Sequence, residues 1–96
     1  MKIHVKIAFV GTDGFSAEYG TTTHLIEGAE IVRKMCAQAD RTVLVADSSK
    51  YGRKGFAHVL DLDQLSLIIT DGRIHSDARD AIEEAGVELY CVDTKG

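Results

Sequence analysis

The sequence predicts an α/β domain built on a parallel sheet, and three observations carry that expectation. Four apolar runs each stop at an aspartate: Ile7-Ala8-Phe9-Val10-Gly11-Thr12-Asp13, Val43-Leu44-Val45-Ala46-Asp47, Leu67-Ile68-Ile69-Thr70-Asp71 and Leu89-Tyr90-Cys91-Val92-Asp93. The runs are rich in Val, Ile and Leu and barely alternate, as strands buried on both faces do. Stretches of helical periodicity separate the first run from the second and the third from the fourth. Parallel strands bring their C-terminal ends to one edge, so the four carboxylates should gather where open α/β sheets bind ligands.

Each element follows from local signals. With no proline in the chain, nine glycines provide the punctuation. Residues 11–22, rich in Gly, Thr and Ser, read as a loop. A helix is expected over about 23–39, where Leu25, Ala29, Val32, Cys36 and Ala39 form one stripe. The second strand is expected over 42–46. Residues 47–58 then make a polar loop too long for a minimal connection, and such loops inside compact domains are usually functional. Residues 61–65 read as a short helical turn, and 67–70 as the third strand. In the next helix Ser76 is the expected N-cap, Ala78, Ala81, Ile82 and Ala85 face inward, and Gly86 supplies the left-handed stop. Residues 87–92 form the last strand. Right-handed crossovers turn this β-α-β-(turn)-β-α-β order into a three-layer, Rossmann-like parallel sheet. Such a sheet needs helices on both faces and the sequence offers two substantial ones, so either one face is open or, the preferred reading, an N-terminal β-α portion of the fold lies outside this chain.

Composition narrows the function classes. Ninety-six residues make one domain, and a net charge of −4 argues against general affinity for nucleic acid or anionic membranes. No apolar run approaches the roughly 18 residues of a membrane-spanning helix, and Met1-Lys2-Ile3-His4-Val5-Lys6 is no signal peptide. The expected location is the cytoplasm. Cys36 and Cys91 read as small buried hydrophobes. His4, His24, His58 and His75 are scattered without metal-ligand spacing, so neither metal nor cofactor is expected.

Two loops carry candidate chemistry. In Gly11-Thr12-Asp13-Gly14 the glycines let backbone approach a ligand, and Asp13 can accept hydrogen bonds from sugar hydroxyls, act as a base, or simply close an Asx-turn. After Asp47, residues Lys50, Arg53 and Lys54 cluster with Ser48, Ser49, Gly52 and Gly55. Hydroxyls, positive charge and free backbone N–H groups suit a phosphate or carboxylate. No Walker or GxGxxG fingerprint occurs. Glu27 and Glu30 flank the helix stripe. Asp71 and Asp93 read as turn or cap residues, while Tyr19, Tyr51 and Phe56 either pack on neighbouring loops or close over a ligand.

Phe9-Val10-Gly11-Thr12-Asp13-Gly14-Phe15-Ser16, then Gly20-Thr21-Thr22, Glu30 with Met35, Val43-Leu44-Val45-Ala46-Asp47-Ser48-Ser49-Lys50-Tyr51-Gly52 and Leu67-Ile68-Ile69-Thr70-Asp71 resemble the effector-sensing domain of DeoR-family transcriptional repressors. The resemblance covers nearly the whole chain, and ADSSKxG is its most telling part. It implies a sensor that binds a phosphorylated sugar or related metabolite and thereby releases operator DNA. It also implies kinship with type A ribose-5-phosphate isomerase. Asp13 resembles the second aspartate of that enzyme's DGADE motif, Lys50 the lysine of its ADxSK motif, and Glu30, at a different spacing, its catalytic glutamate. Val10 replaces the first aspartate of DGADE, so isomerase activity is not expected.

By this resemblance residues 1–96 are the C-terminal part of an effector-binding domain, with no DNA-binding domain in the chain. The ligand-binding set it implies is Gly11, Asp13, Gly14, Glu30, Asp47, Ser49, Lys50 and Gly52. The expected partners are the metabolite, other copies of the chain and, through a separate helix-turn-helix domain, operator DNA, but no membrane. Two rival readings are an isomerase-like enzyme using Asp13 and Glu30, and an oligomerisation domain without a ligand.

Overall fold

In the computed structural model, which describes residues 5–92, a four-stranded parallel sheet forms the frame. Its strands are β1 (Val5–Val10), β4 (Ala39–Val45), β6 (Leu67–Asp71) and β7 (Glu88–Val92), side by side in that order. The helices α1 (Ile26–Ala37) and α2 (Ser76–Glu84) are the crossovers β1→β4 and β6→β7. Every crossover advances across the sheet in the same direction. With right-handed connections that puts both helices on one face.

Register makes the two faces distinct. Val10, Leu44, Ile68 and Leu89 pair in one row across all four strands, and Ala29, Ala78 and Ile82 of the helices join the same core. Leu44, Ile68 and Ile82 are completely buried. The opposite face carries Phe9 paired with Val43, and Val45 with Ile69 and Tyr90. There Phe9 is 64% exposed and Tyr90 60%. Residues 5–92 thus form an α/β fold on the expected parallel sheet with one helical layer; a second helical layer is not among them. Asp93, the fourth strand-end aspartate, lies outside the described residues.

The segments read as loops contain a second sheet. β2 (Gly14–Ser16), β3 (Gly20–Thr23) and β5 (Ala57–Leu60) form an antiparallel sheet in the order β2-β3-β5. Thr21 and Thr22 are buried, and their hydroxyls accept the N–H groups of Leu60 (3.2 Å) and Gly55 (2.7 Å). Between β2 and β3 and the segment 50–55 the packing is close. A Cβ at Gly14 would stand 2.0 Å from the Arg53 carbonyl oxygen, so only glycine fits there.

Helix boundaries move for local reasons. Thr23 belongs to β3, so α1 begins at Ile26, and Ala39 opens β4. Leu25, expected inside the stripe, is 71% exposed. The N-cap of α2 is His75 rather than Ser76: its ring nitrogen Nδ1 accepts the Asp77 N–H at 3.2 Å. Ala85, expected to face inward, is exposed. Gly86 takes φ 87°, the left-handed stop that the sequence calls for. Thr70, at the end of β6, is buried with its hydroxyl unpaired among the described residues.

Candidate functional site

A cleft of about 270 Å³ opens at the C-terminal edge of β1. Gly11, Thr12, Asp13, Thr22 and Thr23 provide its polar side, and Leu25, Ala29, Val32 and Val59 an apolar wall. Asp13 is at its rim because β1 ends three residues earlier and the chain then doubles back into β2. One carboxylate oxygen, Oδ2, accepts the Thr23 hydroxyl at 2.9 Å and the His24 N–H at 2.8 Å. The neighbouring Thr12 hydroxyl donates towards the Gly14 and Thr22 carbonyls at 2.7 and 2.9 Å. The His24 N–H, then the Thr23 hydroxyl, hold Asp13 below the usual aspartate range; the charges of His24 and Lys50 act in the same direction. Asp13 is therefore an ionised acceptor near neutral pH.

The segment after β4 is a short 3₁₀ helix, Ser48–Lys50, capped by Asp47. Asp47 Oδ1 accepts the Ser49 N–H at 3.0 Å and also its hydroxyl. Those bonds, the hydroxyl first, lower the Asp47 pKa. The next stretch is tied to the hairpin β2–β3. Gly52 N–H donates to the Phe15 carbonyl at 2.8 Å, Gly55 N–H to the Thr22 hydroxyl, and the Tyr19 hydroxyl to the Arg53 carbonyl at 2.7 Å. Gly52 has φ 88°, where a side chain would be strained.

The eight residues singled out in the sequence divide into three groups. Gly11 and Asp13 line the cleft. Gly14, Asp47, Ser49, Lys50 and Gly52 sit outside its lining, in the segments that frame the same sheet edge. Glu30 stands apart: it is exposed on α1 and faces Lys34 at 3.8 Å. Its place one residue past buried Ala29 turns it away from the core side of the helix.

Of the three aromatic lid candidates, Tyr51 packs edge-on against Phe15 (5.3 Å between centroids), and Tyr19 lies under the Lys54 ammonium at 5.5 Å. Phe56 is 86% exposed, touching the His24 ring. The free backbone N–H groups expected in 48–53 are a correction: all six donate within the protein. Thr22, Thr23 and the apolar wall line the cleft without being marked in the sequence, because β3 and the turn into α1 read there as loop and helix. Gly20-Thr21-Thr22 was the available signal.

Cys36 and Cys91 are free thiols. Among the described residues no cluster of His, Cys, Asp and Glu has the make-up of a metal site, and no helix is long and apolar enough to cross a membrane.

Residues 1–72 match the family described as the DeoR C-terminal sensor domain. The chain is 41% identical over 88 residues to the HTH-type transcriptional regulator GlpR of Haloferax volcanii, covering 92% of this chain and 34% of that protein. It is 36% identical over 90 residues to the HTH-type transcriptional repressor GlcR of Bacillus subtilis, covering 94% of this chain and 34% of that protein. The chain thus spans about a third of the length of these relatives.

Proposed function

Because this chain belongs to the DeoR C-terminal sensor domain family, a family of transcriptional regulators, we propose that it senses a phosphorylated sugar or a closely related metabolite. The reading rests on one observation above the rest. The Asp13 carboxylate and the Lys50 turn lie at one sheet edge, joined through the Gly52–Phe15 and Gly55–Thr22 hydrogen bonds. Asp13 accepts sugar hydroxyls in the cleft, the apolar wall receives the carbon skeleton, and Lys50 with its cationic neighbours balances the phosphate.

In this reading residues 1–96 are the C-terminal part of the effector-binding domain. The effector controls a helix-turn-helix domain outside these residues, as the HTH-type relatives' names indicate for those proteins. Control requires different affinities for the DNA-competent and DNA-released states. The bare face of the parallel sheet is covered in the complete protein, either by a helical layer that completes a Rossmann-like sandwich or by another copy of the chain. Isomerase chemistry is the weaker reading, since Glu30 faces Lys34 rather than the cleft.

Calorimetric titration with glycerol 3-phosphate, glucose 6-phosphate, fructose 6-phosphate and ribose 5-phosphate tests the proposal. Saturable heat is expected with at least one ester, lost with its unphosphorylated parent and in Lys50→Met. Absence of heat from every ester overturns it.

A further inference from the structure

Two carboxylates hold the turn that carries Lys50, one from the turn itself and one from the end of the neighbouring parallel strand. Asp47 caps it from within. Asp71, the last residue of β6, reaches it from the adjacent strand: Oδ2 accepts the Ser48 N–H at 2.9 Å, while Oδ1 accepts the Arg73 N–H at 2.9 Å. The other backbone donors of the turn are also committed. Lys50 N–H donates to the Asp47 carbonyl at 3.1 Å, and Tyr51 N–H to the Ser48 carbonyl at 3.1 Å. The turn therefore has no spare backbone N–H for an anion, and what it can offer a ligand is the side chain of Lys50. The aim of that ammonium depends on how the turn is pinned.

We propose that Asp71 is a positioning residue for effector binding: by holding the Ser48 amide from the neighbouring strand, it fixes the turn that presents Lys50 to a phosphate. The inference rests on the sensing function proposed above. Asp71 does not touch the ligand. Its contact spans 23 residues of sequence and crosses to the turn from the end of the neighbouring strand, whereas the Asp47 contacts are local; Gly52 N–H on the Phe15 carbonyl holds the far side of the turn. Hydrogen bonds to charged acceptors are among the stronger ones in proteins, so losing this one loosens the turn measurably.

The test is a cycle of Asp71→Ala and Lys50→Met, singly and together, in the whole chain. Two readouts are followed: hydrogen exchange of the Ser48 amide without ligand, and inorganic phosphate affinity from amide shifts. Asp71→Ala, which removes the acceptor, is expected to speed Ser48 exchange while amides of β4 and β6 keep theirs. It should weaken phosphate binding up to about tenfold with Lys50 present and cause no further loss in Lys50→Met. Equal loss in both backgrounds makes Asp71 merely structural and overturns the proposal, as does unchanged Ser48 exchange. If β4 and β6 amides also speed up, Asp71→Ser, which removes the charge but keeps a short acceptor, is read in the same way. Failure of the wild type to bind phosphate counts against the sensing function itself, and Ser48 exchange then decides whether Asp71 pins the turn.

Discussion

The Thr22 hydroxyl accepts the Gly55 N–H at 2.7 Å, one of the bonds that fasten the segment after β4 to the hairpin beside the cleft. Thr22 is buried, so removing its oxygen strands an amide that has no other acceptor among the described residues. Thr22→Val is expected to lower unfolding free energy by about 1–3 kcal/mol. It should also weaken sugar-phosphate binding, because the two halves of the site are then less firmly joined. Urea unfolding and calorimetry check the two effects.

Asp13→Asn and Asp13→Ala separate charge from architecture. Asparagine keeps an acceptor for the Thr23 hydroxyl and His24 N–H, so its melting temperature should stay near that of the wild type, while alanine lowers it. Both should reduce sugar-phosphate affinity at least about tenfold, the loss of one charge-assisted contact. Preserved affinity in both variants removes Asp13 from the site.

Acid tests the strand-end carboxylates together. Asp13, Asp47 and Asp71 all have folded-state pKa values below the ordinary aspartate range, each held down chiefly by hydrogen bonds to its carboxylate. A depressed carboxylate stabilises the fold above its unfolded pKa and ceases to do so as pH falls through its folded value. Stability should therefore be flat near neutrality and decline as pH drops below about 4. In Asp71→Asn the decline should be shallower, which a series of denaturant midpoints against pH would show.

Gly11 lines the cleft, yet a Cβ there would meet nothing within 4 Å. Gly11→Ala should leave stability unchanged or slightly raised while reducing effector affinity, because the methyl group takes up ligand space. Gly14→Ala should instead unfold the hairpin, since its Cβ collides with the Arg53 carbonyl.

Thr70 offers a stabilising change. Its buried hydroxyl has no hydrogen-bond partner among the described residues. Thr70→Val keeps the branched shape and is expected to raise unfolding free energy by about 1 kcal/mol. Thermal unfolding measures it.

The parallel sheet was legible because each of its strands is an apolar run that stops at an aspartate, and burial of Leu44 and Ile68 depends on little beyond that pattern. The antiparallel sheet was hidden. Its strands Gly14–Ser16 and Gly20–Thr23 are short and rich in Gly and Thr, and β3 finds its partner in β5, more than thirty residues away. That pairing also shortened α1, by drawing Thr23 into a strand. At the site, Asp13 and Gly11 could be chosen from position alone, because strand ends converge. Glu30 could not be placed: one residue of helix turns a side chain by about 100°, and the stripe did not say which flank faces the cleft. The commitment of the 48–53 amides was equally invisible, since it combines local turn bonds with acceptors that Phe15 and Asp71 bring from other strands.

The uncovered side of the parallel sheet has a practical consequence. Phe9, Val45, Tyr90 and Val92 form a water-facing apolar surface there, each more than two-fifths exposed. A lone chain in dilute buffer pays the full hydration penalty of that surface, whereas any neighbour that settles on it relieves the penalty. Melting temperature should thus climb with protein concentration. Titrations of Asp13 or Lys50 variants bear comparison only at matched dilution.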